Sequence, residues 1–235
     1  MQCIINGGVP MYVIGHRGAS AHKEENTLSS FEMALSDGAD MIETDLRMSS
    51  DGRIILSHDD VYRNRQINES NLVDLKMLGP IAQISDVLRL LNGDIPLNLE
   101  IKEPEVVEPL AHTLNKCMQY GWRAEHFLVS SFDHHALARF KQRMPNIRIG
   151  ALLEGIPLRY SEFASDIGAY SVHLSHNFVN REFVEHAHDN GMKVLVYTVN
   201  DFSVLDKMRA LGVDGIFTDY PGEAVTYLEN LKNEA

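Results

Sequence analysis

Short apolar runs alternate with stretches whose apolar residues return every three or four positions, from residue 11 almost to the end of the chain. The runs at 11–16, 40–47, 96–102, 126–131, 147–153, 170–175, 193–199 and 214–219 read as parallel strands covered by helices. The intervening segments carry helix signals. Asn26 stands as a cap ahead of Leu28, Phe31 and Leu35, a one-sided series closed by Gly38. Pro104 opens a second series, Val107, Leu110, Leu114 and Cys117, ending at Gly121. Asp133, Asn180 and Asp201 are placed to cap the helices that follow them, and Asn190-Gly191 and Leu211-Gly212 read as helix ends.

Eight strands, each followed by a helix, in 235 residues predict an α/β chain folded as a (β/α)8 TIM barrel. One run is additional. RIILSH at 53–58 reads as a short strand directly after the second, within a long connection that returns His58 toward the mouth. The stretch 59–84 has no clean period and is expected to be irregular. No linker, low-complexity tract or repeat divides the chain, so 1–235 is expected to form one domain.

Composition narrows the partners. The formal charge of −12 disfavours nucleic acid and stable association with anionic membranes. No apolar run approaches the roughly 18 residues of a membrane span. Cys3 and Cys117 have neither metal-ligand spacing nor the numbers for a disulfide framework. The N-terminus lacks the basic and apolar regions of a signal peptide. A cytoplasmic setting is the expectation.

Barrel chemistry gathers at the C-terminal ends of the strands, and His16, Glu43, Asp45, Glu100, Lys102, Ser131, Tyr197 and Asp219 all fall near such ends. Glu43 and Asp45 are two apart in a strand, so both side chains leave one face, and Glu100 and Lys102 repeat the spacing. Three carboxylates suit one hard divalent ion, Mg²⁺ or Ca²⁺. No three nitrogen or sulfur ligands converge to favour zinc. Among eleven histidines, His16 and His58 are the pair placed for proton exchange at neutral pH. His134, His135, His186 and His188 lie on predicted helices. The sixth strand could point His173 or His176 into the mouth.

Four linked segments, HRGASAHKEENT at 16–27, IETD at 42–45, SHDD at 57–60 and LEIK at 99–102, resemble the glycerophosphodiester phosphodiesterases, and VYTVN and GIFTDYP extend the likeness. The resemblance implies a metal site of Glu43, Asp45 and Glu100, with His16 and His58 as general acid and base. Carried over, one of the pair would protonate the departing alkoxide and the other deprotonate the nucleophile, with His16 as acid and His58 as base or the reverse. Arg17 and Lys102 would stabilise phosphate charge, with Glu25 paired to Arg17. Tyr197 stands where the family more often has tryptophan and would either line the substrate pocket or pack the barrel end. Asn200 and Asp219 read as turn and helix-cap residues.

Two departures stand out. Glu24 replaces the proline usual before Glu-Asn-Thr, and DDVYRNRQINES replaces an arginine and a threonine pair, with Arg63 or Arg65 as substitutes. The expected function is metal-dependent hydrolysis of a small glycerophosphodiester to an alcohol and sn-glycerol 3-phosphate. A phospholipase-D-like phosphodiesterase would need a route to the membrane. A non-catalytic phosphodiester-binding barrel would not need all five of these histidines and carboxylates.

Overall fold

The structure, a computed structural model, describes residues 11–233, so Cys3 lies outside the described residues. Chain order is β1 (Tyr12–Gly15), α1 (Leu28–Ser36), β2 (Met41–Met48), β3 (Ile54–Leu56), β4 (Val61–Tyr62), β5 (Arg65–Gln66), α2 (Leu72–Leu78) and α3 (Ile84–Leu91). There follow β6 (Leu97–Ile101), α4 (Val107–Met118), β7 (Phe127–Ser131), α5 (His134–Arg143), β8 (Arg148–Leu153) and α6 (Glu162–Ser165). The last third holds β9 (Ser171–Ser175), α7 (Arg181–Asp189), β10 (Lys193–Tyr197), α8 (Phe202–Leu211), β11 (Gly215–Thr218) and α9 (Pro221–Asn233).

The sheet runs β1-β11-β10-β9-β8-β7-β6-β2-β3, and β1 also pairs with β2, so the parallel strands close into the predicted (β/α)8 barrel. Outward residues such as Val13, Ile42, Val129 and Val172 pack beneath the helices in one large core. Inside the barrel, Ile14, Leu128, Leu195 and Phe217 form a separate plug. That plug seals the lower barrel and leaves the upper layers to polar groups.

β2 changes partners along its length. Met41 and Ile42 pair with β1, whereas Leu46, Arg47 and Met48 pair antiparallel with β3. The strand therefore rises above the barrel rim, and β3 folds back along it as the RIILSH pattern predicts. Ser57 N then donates to Asp45 O at 3.2 Å, which brings His58 to the mouth.

Three local expectations need correction. Residues 59–84 are not wholly irregular: they include the β4–β5 hairpin and α2, folded over a satellite core of Ile55, Ile67, Leu75 and Ile81. Two-residue strands and a seven-residue helix are too short to show a period. The helix after β8 shrinks to the single turn α6, because Gly155 and Pro157 interrupt the connection. The α1 cap is Thr27 rather than Asn26, its side chain accepting from Ser30 N; α1 buries Phe31 and Ala34 and leaves Leu35 exposed. Asp133, Asn180 and Asp201 do cap α5, α7 and α8 through their side chains.

Candidate active site

The mouth is built from adjacent strand ends. β2 and β6 pair with Glu43 opposite Asn98 and Asp45 opposite Glu100. Period-two alternation sends all four side chains inward in two layers. One carboxylate oxygen from each of Glu43, Asp45 and Glu100 can be chosen so that all three lie within 4.8 Å of one another. Glu43 and Asp45 are 2% and 1% exposed.

Three acids this close and this buried repel one another. Burial, then the charges of Asp45 and Glu100, raise the Glu43 carboxyl well above its usual range against the pull of Arg17. Burial and Asp45 likewise raise Glu100, with Lys102 opposing. Burial also works against ionised Asp45, but Lys102 and Arg17 outweigh it and hold that carboxyl below its usual value. Glu43 Oε1 is buried without a hydrogen-bond partner. A buried carboxylate oxygen without a partner, in an all-oxygen donor set, fits a hard cation.

Both predicted phosphate-binding cations stand beside these acids. Lys102 Nζ lies 2.7 Å from Glu100 Oε1 and 3.4 Å from Asp45 Oδ1. Arg17 Nη1 lies 2.7 Å from Glu25 Oε2, as the resemblance implied, and Nε lies 3.3 Å from Asp45 Oδ2. Arg17 is held in the left-handed region at φ 57°, and its N–H donates to Glu43 Oε2 at 2.9 Å. The following Gly18 has φ +87°, and a Cβ there would sit 2.4 Å from Ser30 Oγ. The His-Arg-Gly turn thus needs glycine to lie against α1 while aiming an amide at the acid cluster.

His16 and His58 line one cavity of about 300 Å³ together with Arg17, Glu43, Glu100 and Lys102. His16 Nδ1 lies 2.6 Å from Asp219 Oδ1. His58 Nδ1 lies 2.9 Å from Asp59 Oδ1. Tyr197 reaches the cavity wall beside Phe132, with ring centroids 6.1 Å apart. Its hydroxyl donates to Leu153 O at 3.0 Å, so it both lines the pocket and ties β10 to β8.

A model of the glycerophosphoryl diester phosphodiesterase family matches residues 16–223. The chain belongs to that family. The glycerophosphodiester phosphodiesterase of Caldanaerobacter subterraneus subsp. tengcongensis is 30% identical, over 89% of this chain and 94% of that protein. The Bacillus altitudinis glycerophosphodiester phosphodiesterase is also 30% identical, over 94% of this chain and 99% of that one. A phosphodiesterase of Oleispira antarctica, solved in complex with its product sn-glycerol-3-phosphate, superposes with a TM-score of 0.85 at 27% identity. The match covers 94% of this chain and 97% of that structure.

Within this family member, several residues that contact the candidate site side chains escape sequence reasoning. Asp219 is not a helix cap. Its Oδ1 meets His16 and accepts from Ser20 Oγ at 2.9 Å, while Oδ2 accepts from Asn200 Nδ2 at 2.6 Å. Burial acts to raise this carboxyl, but bonding and charge from His16, then Asn200 and Ser20, hold it down at about 2. Barrel closure was the available signal: the last strand end neighbours the first. Asn26, turned inward at φ 57°, donates to Asp45 Oδ2 at 3.0 Å and accepts from Thr44 Oγ1 at 2.7 Å.

Arg47 was also missed. Its Nε and Nη2 donate to the His58 carbonyl at 2.9 and 2.7 Å, and Nη1 reaches Glu103 Oε2 at 3.3 Å. The fork grips the turn that carries His58. Arg63, offered as a substitute for the family's arginine, pairs with Glu24 Oε1 at 3.3 Å. Arg65 lies exposed in β5. Of the two histidines on the sixth strand and its exit, His173 is the one that enters the cavity.

Proposed function

We propose that the protein hydrolyses glycerophosphodiesters to an alcohol and sn-glycerol 3-phosphate, using one divalent ion, Mg²⁺ or Ca²⁺, and the His16–His58 pair. The observation that carries this reading is the convergence of both histidines and the acid cluster on one cavity. The family match and the sn-glycerol-3-phosphate bound to the Oleispira relative support the substrate class.

Glu43, Asp45 and Glu100 would hold the ion, with Asn26 fixing the Asp45 rotamer. The bound ion supplies Lewis-acid polarisation of the phosphoryl group and a template for the diester. Arg17 and Lys102 add fixed positive charge at the centre that becomes more negative on in-line attack, where such charge acts most strongly on the transition state. His58 takes the proton of the attacking hydroxyl. His16 delivers a proton to the departing alkoxide, with Asp219 orienting its ring through Nδ1 so that Nε2 is the working atom. One water is consumed, one P–O bond breaks, and the proton count closes. The cysteine usage and the acidic surface accord with a cytoplasmic enzyme acting on a small soluble substrate; no described helix is long and apolar enough to cross a membrane.

Phosphorus NMR of a glycerophosphocholine digest tests the assignment. The expected products are sn-glycerol 3-phosphate and choline. Phosphocholine and glycerol instead would place the cleaved bond on the other side of phosphorus.

A further inference from the structure

The two departures in the sequence, Glu24 and the segment after His58, meet in the structure. Arg63 Nη2 lies 3.3 Å from Glu24 Oε1, across 39 residues of chain. The mechanism above uses neither side chain, yet each belongs to a loop on which that mechanism depends.

Glu24 stands on the β1–α1 loop. The next residue, Glu25, holds Arg17 Nη1 at 2.7 Å, and Asn26 N donates to Arg17 O at 3.1 Å. Thr27 Oγ1 donates to Glu24 O at 2.6 Å, which ties Glu24 to the cap of α1. Arg63 stands at the tip of the β4–β5 hairpin, on the chain that runs on from His58. The base of that hairpin is fixed by Ile67, whose N–H donates to Asp60 O at 2.9 Å and whose side chain packs in the satellite core with Ile55 of β3. His58 therefore sits between two restraints, the Arg47 fork on its carbonyl and the hairpin beyond Asp60.

The hairpin tip is shaped for the Arg63 side chain. Tyr62 and Arg65 pair across a two-residue turn, and the turn residues Arg63 and Asn64 have φ 46° and 65°. Such turns favour asparagine and glycine; a long side chain in the left-handed region is strained and persists where its surroundings hold it. Here the guanidinium lies 5.5 Å from the Tyr62 ring centroid. It also lies against Gly79 at the end of α2, where a Cβ would stand 2.7 Å from Arg63 Cζ. A larger residue at 79 would push the guanidinium from its seat. Arg63 thus reaches Glu24 from a prepared position.

An ion pair whose side chains are 48% and 50% exposed adds little to stability. Its geometric effect is another matter, because small displacements of catalytic groups slow a reaction far more than such a contact stabilises a fold. We propose that Glu24 and Arg63 form a positioning clasp, which ties the loop carrying Arg17 to the hairpin that follows His58. The clasp holds the phosphate-binding cation and the proton-transfer histidine in register across the mouth. This rests on the phosphodiesterase reading and adds to it a pair of residues that touches no substrate.

The test is a double-mutant cycle of Glu24→Ala and Arg63→Ala, read as kcat and KM for glycerophosphocholine with the metal-loaded enzyme. Glu24→Ala is expected to lower kcat about three- to fivefold, the ceiling for an exposed pair, at nearly constant KM. In the Arg63→Ala background the same substitution should change kcat by less than about twofold, since its partner is already gone. A direct effect of the Glu24 charge on the substrate would be equal in both backgrounds. Raising NaCl to about 0.5 M, where the Debye length is roughly 4 Å, should bring the wild type toward Glu24→Ala. Melting temperatures should agree within about 2 °C, whereas a purely structural role would move them with the rate and be indifferent to salt. Wild-type kcat in Glu24→Ala, the same loss in both backgrounds, or a loss that follows the melting temperature overturns the clasp alone. No turnover by the wild type overturns the phosphodiesterase reading and the clasp with it.

Discussion

His16 Nδ1 and Asp219 Oδ1 lie 2.6 Å apart across 203 residues of sequence. They join the exit of the first barrel strand to the exit of the last. A carboxylate at this distance is placed to select one imidazole tautomer, which would leave Nε2 for the proton transfer proposed for His16. Asp219→Asn keeps the shape and removes the charge. Steady-state kinetics should show kcat reduced about a hundredfold, within the range of a general acid–base contribution, at nearly constant KM. An unchanged kcat would make Asp219 a packing residue.

The Arg47 fork predicts a separable effect. Arg47→Ala removes both donors to the His58 carbonyl without touching Glu43, Asp45 or Glu100. Turnover is expected to fall about tenfold or more, because a small displacement of a proton-transfer group is costly. Calorimetric titration with Mg²⁺ or Ca²⁺ should give wild-type affinity. Partial recovery of turnover by added guanidinium would locate the defect at the missing fork; loss of metal affinity would contradict it.

Acid stability should report His173. Its folded pKa of about 3 lies below the unfolded value of 6.5, so the unfolded chain binds a proton that the folded chain refuses. Stability contributed by the neutral ring is therefore complete above about pH 6.5 and is lost as pH falls toward 3. The slope approaches 1.4 kcal/mol per pH unit for one proton. Urea midpoints at pH 7.5 and 4.5 should differ more in the wild type than in His173→Phe. Equal differences would show that other groups set the acid limit.

The acid cluster predicts metal-linked stability. Relief of the repulsion around Glu43 on cation binding should raise the melting temperature of chelated protein. An ion at a hundred times its Kd contributes about 2.7 kcal/mol, or roughly 5–10 °C for a chain of this size. Glu43→Gln should abolish most of that rise while leaving the chelated protein no less stable, since it removes one of the mutually repelling charges. A metal-independent melting curve in the wild type would count against the cluster as a metal site.

Much of this architecture is legible in the chain because a barrel strand and its catalytic exit coincide. The runs at 40–47 and 96–102 placed Glu43, Asp45, Glu100 and Lys102 on β2 and β6, where the structure sets them in register. What stayed hidden depends on contacts that local patterns do not encode. Asp219 acquires its role only when β11 closes against β1. Asn26 lies one residue from the true cap, Thr27, and local propensity does not separate the two. Arg47 reads as an ordinary strand charge until β3 folds back and delivers the His58 carbonyl to it. The β4–β5 hairpin and α2 are held by a four-residue core, too small to impose a period on the sequence.

The central claim is that His58 and a carboxylate-bound ion act together on a glycerophosphodiester. It is tested most directly by release of glycerol 3-phosphate from glycerophosphocholine, using chelated enzyme resupplied with Mg²⁺, Ca²⁺ or no metal, beside His58→Ala. Turnover restored by a divalent ion in the wild type, and absent or reduced by about a hundredfold or more in the variant, is the predicted result. Equal turnover with and without metal, or a His58→Ala enzyme as fast as the wild type, would contradict it.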